Sequence, residues 1–276
     1  MTWRDLREIR IFAAKTPLKK CIHLLENCKI IPTFVRFKKI IVMKKLVVSS
    51  GAGISAESGM MTYRDAGGLW DTYPVMEVAS AEGFAANPPL IHEFYSNMRK
   101  KMQDTVHPNA AHLGLVDLEK DFDVHIITQN VDDLHERAGS KHVLHLHGEL
   151  MKVRSMRHPE RIYQLPCDQL TDKGLTTTVD TRDPYGDPVR PHIVFFGESV
   201  PEFEPAVGLV QQADILVVIG TSLVVYPAAA LLQYARRGTE VYYIDPNPAS
   251  VPSWVHVIPK KATEGVADLI KLLRNQ

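Results

Sequence analysis

The stretch from Lys45 to Trp70, KLVVSSGAGISAESGMMTYRDAGGLW, constrains the fold of this chain more than any other. It opens on Leu46-Val47-Val48, a short, β-branched apolar run of the kind that forms a buried parallel strand. Gly51-Ala52-Gly53 follows at once, and Ile54-Ser55-Ala56-Glu57-Ser58-Gly59 reads as the first turns of a helix. A strand running through close-set glycines into a helix N-terminus suits a phosphate. The bare backbone lets a pyrophosphate approach, and the free N–H groups of the first turn face the anion. The dinucleotide fingerprint G-x-G-x-x-G is incomplete, because the third glycine arrives only at Gly59. Taken alone, the loop leaves a nucleotide site and an ordinary glycine turn both open.

The rest of the chain supplies the context. From Asp71 to Asp104 the spacing is helical, with breaks at Pro74 and Pro88-Pro89, so short helices are expected in a lobe outside the sheet; Ile91–Arg99 is the best of them. Another helix begins at Pro108-Asn109-Ala110-Ala111-His112. Asp123–Thr128 reads as a second buried strand ending in Gln129-Asn130-Val131-Asp132, and Val143–Leu146 as a short third one ending in His147-Gly148-Glu149. Residues 151–190 dissolve into charges, threonines and turn residues, the pattern of a small loop-rich lobe. Three further strands are expected at His192–Glu198, at Ala213–Ser222 and at Glu240–Asn247. Strands alternating with helices and ending in small or polar residues predict a doubly wound, Rossmann-like parallel α/β sheet with a smaller inserted lobe. In such a sheet, ligands lie beyond the strand C-termini, where Gln129, Asn130, His147 and Gly220-Thr221-Ser222 would sit. A histidine at a strand end is commonly structural; here glycine follows it, leaving room for a ligand.

The 276 residues can bury a large core, and no window approaches the run of about 18 apolar residues that a membrane span needs. Three cysteines, Cys21, Cys28 and Cys167, give no disulfide framework, so a cytoplasmic location is expected, with no membrane association. Of the 32 Lys/Arg and 32 Asp/Glu, residues 1–42 hold ten and three, a net +7, and residues 43–276 the remaining 22 and 29, a net −7. Such a basic leader suits a mitochondrial presequence or a nucleic-acid arm. Against both stands Met43-Lys44-Lys45, which looks like a translation start directly before the first strand. Residues 1–42 are therefore expected to lie outside the fold, and no specific nucleic-acid partner is expected.

Gly51-Ala52-Gly53-Ile54-Ser55, Tyr63-Arg64, Gly68-Leu69-Trp70, Pro108–His112, Gln129-Asn130-Val131-Asp132, His147-Gly148-Glu149, Arg190–Val194, Phe196-Gly197-Glu198 and Gly220-Thr221-Ser222 together resemble a known pattern. It is that of the sirtuins, NAD-dependent protein-lysine deacylases, and most of all the bacterial type related to the mitochondrial desuccinylase. The blocks fall in the family's order over nearly all of residues 43–276. The resemblance implies a large lobe of 43–70, 105–149 and 190–276 and a small lobe of 71–104 and 150–189. It also implies a reaction. The acyl-lysine oxygen attacks C1′ of the nicotinamide ribose as nicotinamide leaves, and the alkylimidate that forms resolves to free lysine and O-acyl-ADP-ribose.

Residue roles follow from the same resemblance. His147 resembles the general base, and Asn130, with Gln129, holds the ribose and organises water. Val131 and Asp132 grip the nicotinamide carboxamide. NAD is further held by Gly51, Ala52, Gly53, Ser55, Glu57, Tyr63, Arg64, Trp70, Gly220, Thr221, Ser222 and Ala262, with Asp245-Pro246-Asn247 on the adenosine side. Val194, Phe196, Gly197 and Glu198 would line the acyl-lysine path. The sequence departs from the family in carrying Tyr63 for phenylalanine, in the Asp245-led block, and in the small lobe. Four-cysteine zinc is usual there, but residues 151–190 hold only Cys167, so no zinc is expected. Acid-acyl sirtuins carry Tyr-x-x-Arg on a helix of the acyl pocket; here Arg99 follows Tyr95 by four, which still shares one helix face. The other reading of Arg99 is a solvated member of the basic run Arg99-Lys100-Lys101. An ADP-ribosyltransferase or ADP-ribose-binding module is the alternative use of such a fold. A plain oxidoreductase is disfavoured by the lack of a Tyr-x-x-x-Lys pair.

Overall fold

Leu46 and Val48 face one side of the central sheet and Val47 the other, and all three are fully buried. The same period-two division recurs on the neighbouring strands, with Val217 and Ile244 on the first side and Val218 and Tyr243 on the second. A strand buried on both faces needs a continuous apolar run, which is what these segments have. The computed structural model describes residues 43–60 and 74–275. The extension 1–42, and Tyr63, Arg64 and Trp70, lie outside the described residues.

Six parallel strands form the main sheet: β1 (Lys45–Ser50), β2 (Asp123–Thr128), β3 (Val143–His145), β7 (Ile215–Ile219), β8 (Glu240–Ile244) and β9 (His256–Ile258). Their order is β3-β2-β1-β7-β8-β9. After β1 the chain passes through α1 (Gly53–Ala56) and then, among the described residues, α2 (Val75–Val78), α3 (Ala81–Ala86) and α4 (Pro88–Thr105). It returns through α5 (Ala110–Leu118) to β2, and α6 (Leu134–Ala138) leads on to β3. Later α7 (Phe203–Gln212) brings it to the opposite side of β1, and α8 (Ala262–Arg274) closes the chain. Helices α5 and α8 cover one face; α7 and a 3₁₀ helix, Ala228–Tyr234, cover the other. The order therefore reverses between β1 and β7, and the crevice beyond their C-termini is the binding position of such a sheet.

Local sequence sets the helix starts. Pro88-Pro89 opens α4, with the Asn87 side chain accepting from the Leu90 amide; α3 ends at Ala86, so the expected break falls between two helices. Asn109 caps α5, its side chain accepting from the Ala111 amide while its own amide donates to His112 Nδ1. Neither the ninth strand nor α8 is marked in the sequence reading, although α8 is amphipathic and buries Val266, Leu269 and Leu273.

One expectation is corrected. His192–Glu198 is not a strand of the main sheet. Its first residues belong to β6 (Val189–Ile193), which pairs antiparallel with β4 (Gly148–Ser155); β5 (Ile162–Gln164) completes a separate three-stranded sheet in the order β5-β4-β6. Half-burial and Pro191 mark β6 as an edge strand, and the chain from His147 runs straight into β4, its partner. Residues 151–190 are thus not merely loops. Val153, Leu165, Leu170 and Val189 form a small core there. Beside it, Asp183, with no exposed side-chain surface, and Asp187 pair with Arg161, which stacks 4.4 Å over the Tyr185 ring; Arg157 adds a second cation on Asp187.

Candidate active site

Two glycine turns close on each other at the switch point. Gly51 donates from its amide to the Ile219 carbonyl and Gly53 to that of Gly220, both across 2.9 Å. A Cβ on Gly53 would lie 2.6 Å from the Gly220 Cα, and Gly220 has φ +61°, so neither position accepts a larger residue without moving the other turn. Beyond this joint the amide of Gln129 is bonded to Ser50, and its side chain donates to Thr221 Oγ1 across 3.3 Å. Turns from β1, β2 and β7 thus share one floor. Gly59 does not complete a fingerprint. Helix α1 lasts a single turn, ending at Ala56, and Gly59 turns the chain beyond it with φ +86°.

The buried polar groups of the floor interlock. The Asn130 side chain donates to the Gly51 carbonyl (3.2 Å) and to Ser55 Oγ (3.1 Å), and Ser55 Oγ donates to Asp132 Oδ2 (3.0 Å). Asp132 also accepts from the Leu134 amide. Burial pushes its carboxyl up to about 6, against the opposing pull of these two hydrogen bonds. Val131 lies beside it, buried, its carbonyl bonded to the Leu150 amide.

His147 stands at the mouth of this floor. Its Nδ1 lies 3.0 Å from the Gln129 carbonyl oxygen. Burial lowers its pKa, and the carbonyl bond works in the opposite direction. A Cβ at Gly148, whose φ is +83°, would stand 2.1 Å from the His192 carbonyl; glycine is required there for β4 to lie against β6. The Val194 amide donates to the His147 carbonyl, so the predicted acyl-lysine segment runs directly alongside the histidine. Phe196 bridges to Ser80 and is 46% exposed, Gly197 turns the chain at φ +89°, and Glu198 is engaged by Arg190 and Arg154 and by the Phe195 amide. Glu198 therefore shapes the turn.

The remaining candidates are spread along the crevice. Ser222 is exposed after the buried Thr221. At the end of β8 the Asp245 carboxylate accepts from the Asn247 amide across 2.9 Å, which folds Asp245-Pro246-Asn247 into a tight turn with Pro246 and Asn247 exposed. Glu57 binds the start of α8, accepting from the Thr263 amide and hydroxyl, and so fixes the buried Ala262 next to it. Ala52 is half-buried at the start of α1.

Arg99 is fully buried, which overturns the solvated-surface reading. Its Nε donates to the Leu150 carbonyl (2.8 Å), and its Nη1 donates to the Leu175 carbonyl (3.1 Å) and to Thr177 Oγ1 (3.2 Å). Nη2 is buried without a hydrogen-bond partner, and no carboxylate of the described residues pairs with the cation. Burial lowers its pKa to about 10, with the nearby Tyr95 acting in the opposite direction. Tyr95 packs in the same apolar cluster as Phe94 and Phe195. His92 and Ser96, on the same helix, also bond to Thr177 and so tie the segment around it to α4.

The sequence reading gave no role to His145, Glu136, His135 or His112. His145 Nδ1 faces the Asn130 carbonyl at 2.9 Å and its Nε2 faces Glu136. His135 Nε2 contacts Ser50 Oγ, and its ring meets that of His112 edge-on at 4.9 Å. The alternation His145-x-His147 is the one signal that could have found the first of them.

The Sir2 family profile matches residues 51–227. An NAD-dependent protein deacylase of Bacteroides thetaiotaomicron is 52% identical over 233 residues, covering 84% of this chain and 98% of that one. One of Aggregatibacter actinomycetemcomitans is 54% identical over 73% of this chain and 93% of its own. Among solved structures, a Sir2 homologue bound to NAD superposes with a TM-score of 0.72 at 34% identity, covering 85% of this chain and 91% of that one. A variant Sir2 with deacetylated p53 peptide and 3′-O-acetyl ADP-ribose gives 0.69 at 28% identity, covering 93% and 98%. This chain belongs to the Sir2 family.

Proposed function

We infer that this chain is an NAD-dependent protein deacylase that removes acyl groups from lysine side chains of proteins or peptides. The observation that carries the reading is His147, bonded through Nδ1 to the turn that also presents Asn130, at the switch point of an open parallel sheet. Its likeness to deacylases of Bacteroides and Aggregatibacter over most of both chains supports it.

The crevice fits NAD. Gly51 and Gly53 let the two turns close on each other, and a buried Asp132, its carboxyl pushed up by burial, suits a neutral carboxamide. Gly51, Ala52, Ser55, Thr221 and Ser222 would hold the phosphates and adenosine ribose, with Asp245–Asn247 at the far end. When bound, NAD supplies the ribose carbon that accepts the acyl oxygen as nicotinamide leaves. His147 then takes a proton at Nε2. The Gln129 carbonyl can only accept a hydrogen bond, so the ring proton sits on Nδ1 and leaves Nε2 basic. The Asn130 amide, anchored on Gly51 and Ser55, orients the ribose and its water.

The acyl range includes acetyl and extends to succinyl and malonyl. In support, Arg99 is a buried cation near Tyr95 with one nitrogen unpartnered and no carboxylate of the described residues paired with it. A distal carboxylate would satisfy both needs. We expect no zinc in the small lobe, where Cys167 is the one cysteine of residues 151–190 and tetrahedral zinc needs four ligands. Among the described residues no three His, Cys, Asp or Glu side chains are grouped to hold a metal, and Asp183, Asp187 and Arg161 link the lobe by ion pairs. A cytoplasmic setting accords with the cysteine usage, and no helix of the described residues is long and apolar enough to cross a membrane.

Mass spectrometry of acetyl-, succinyl- and malonyl-lysine peptides incubated with NAD tests the reading. Loss of the acyl group, dependent on NAD, is the expected result. ADP-ribosylated protein with the acyl groups intact would favour a transferase instead.

A further inference from the structure

His145 ends β3 in register with Thr128, the last residue of β2, and stands two residues before His147. The two imidazoles hold consecutive carbonyls of one turn. His145 Nδ1 lies 2.9 Å from the Asn130 oxygen and His147 Nδ1 3.0 Å from the Gln129 oxygen. The third carbonyl, that of Val131, accepts from the Leu150 amide across 2.7 Å. Segment 145–150 thus grips every carbonyl from Gln129 to Val131.

The two histidines differ at the other nitrogen. His145 Nε2 is 2.8 Å from Glu136 Oε1, and the side chain is only 7% exposed. A carbonyl and an ionised carboxylate can each only accept, so both nitrogens of His145 must carry protons. Glu136 is held below its ordinary range: its own burial opposes this, but the hydrogen bond and charge of His145 outweigh it. Burial of the His145 ring opposes its charge, but Glu136, the Asn130 carbonyl and, on β4, Glu149 together outweigh it; Asp132 lies beyond Asn130, and the cation of Lys152 near Glu136 helps to keep that carboxylate ionised. His135, beside Glu136 on α6, is buried and neutral and so adds no second cation.

We propose that His145 is a positioning residue of the deacylation site: as an imidazolium countered by Glu136 it clamps the Asn130 carbonyl and so fixes the turn on which Asn130 and His147 act. If the ring loses its charge, the remaining proton stays with the carboxylate and a lone pair faces the Asn130 oxygen. The carbonyl must then turn away, carrying the Asn130 amide with it. His145 therefore acts through Asn130, and its effect appears as pH rises.

The kinetic half of the proposal rests on the deacylase reading; the protonation half does not. Ring-nitrogen NMR of the full chain near neutral pH, with the signal assigned by its loss in His145→Gln, is expected to show protons on both His145 nitrogens. A single protonated nitrogen overturns the proposal. Glu136→Gln keeps the shape and removes the counter-charge. Relative to the parent enzyme, its kcat on an acetyl-lysine peptide is expected to decline by about tenfold or more from mildly acidic to alkaline pH, which corresponds to a shift of about one pKa unit or more, with KM for NAD little changed. A constant ratio across that range, in a protein that melts like the parent, overturns the positioning role. If the parent shows the doubly protonated ring but no deacylation, the deacylase reading fails and the clamp stands.

Discussion

His147 Nδ1 and the Gln129 carbonyl oxygen are 3.0 Å apart, and this contact fixes which nitrogen of the histidine is basic. Replacing the ring removes the base without disturbing the glycine turns. His147→Ala is expected to lower kcat by about 10²–10⁴-fold, the usual loss for a general base, while NAD still binds. Burial lowers the His147 pKa, so the acidic limb of the rate profile should lie below that of a free imidazole, near pH 6.5. Near-parental turnover by the variant would remove His147 from the mechanism.

His92 and His112 are buried, at 2% and 0% exposure, and each has its pKa lowered to about 4 by burial, with nearby positive charge adding to the effect at His92. The unfolded chain binds protons at these positions below about pH 6.5, whereas the folded protein does so only near pH 4. Stability is therefore complete above pH 6.5 and falls with pH towards 4, at a cost of up to about 3 kcal/mol for each ring. Melting temperature followed by circular dichroism should drop through that window. A flat profile from pH 7 to pH 4 would contradict it.

Arg99 holds two carbonyls and a hydroxyl, so its removal has two effects that separate by assay. Arg99→Met leaves buried acceptors unpaired and is expected to lower stability by about 1–3 kcal/mol. Independently, loss of the charge is expected to reduce desuccinylation relative to deacetylation by about 10- to 150-fold, from a charge-assisted bond of about 1.5–3 kcal/mol. An unchanged ratio of the two activities would leave Arg99 a purely structural clasp.

In the small lobe, Arg161→Met removes the counter-charge of Asp183, which has no exposed side-chain surface and keeps only the Tyr163 hydroxyl and two backbone amides, and is expected to destabilise the protein by about 3 kcal/mol. Chelators are expected to leave activity and melting unchanged, and elemental analysis to find far less than one zinc per chain. Stoichiometric zinc, with activity lost on chelation, would reverse this account of the lobe.

The parallel sheet was readable because Leu46–Val48, Ile126-Ile127 and Ile215–Ile219 are apolar on both faces, and few other structures bury such runs. The glycine turns and the Gln129–Asp132 and His147 positions were readable for a related reason, since ligands gather at the ends of those strands. The small sheet was not. Strands β4 and β6 are half-exposed and carry charges, and only their mutual pairing defines them. The assignment of Arg99 failed in its solvated form because a run of Arg99-Lys100-Lys101 does not reveal which cation meets carbonyls from residues 51 and 76 positions away. His145 was hidden because its role depends on Glu136 and Asn130, which only the fold brings together.

The most direct test of the account is the stoichiometry of one reaction: the full chain, NAD and an acetyl-lysine peptide, with free nicotinamide and deacetylated lysine measured together. The account predicts that the two appear in equal amounts, accompanied by O-acetyl-ADP-ribose, and that both vanish in His147→Ala. Nicotinamide release with the acetyl group still on the peptide would contradict it.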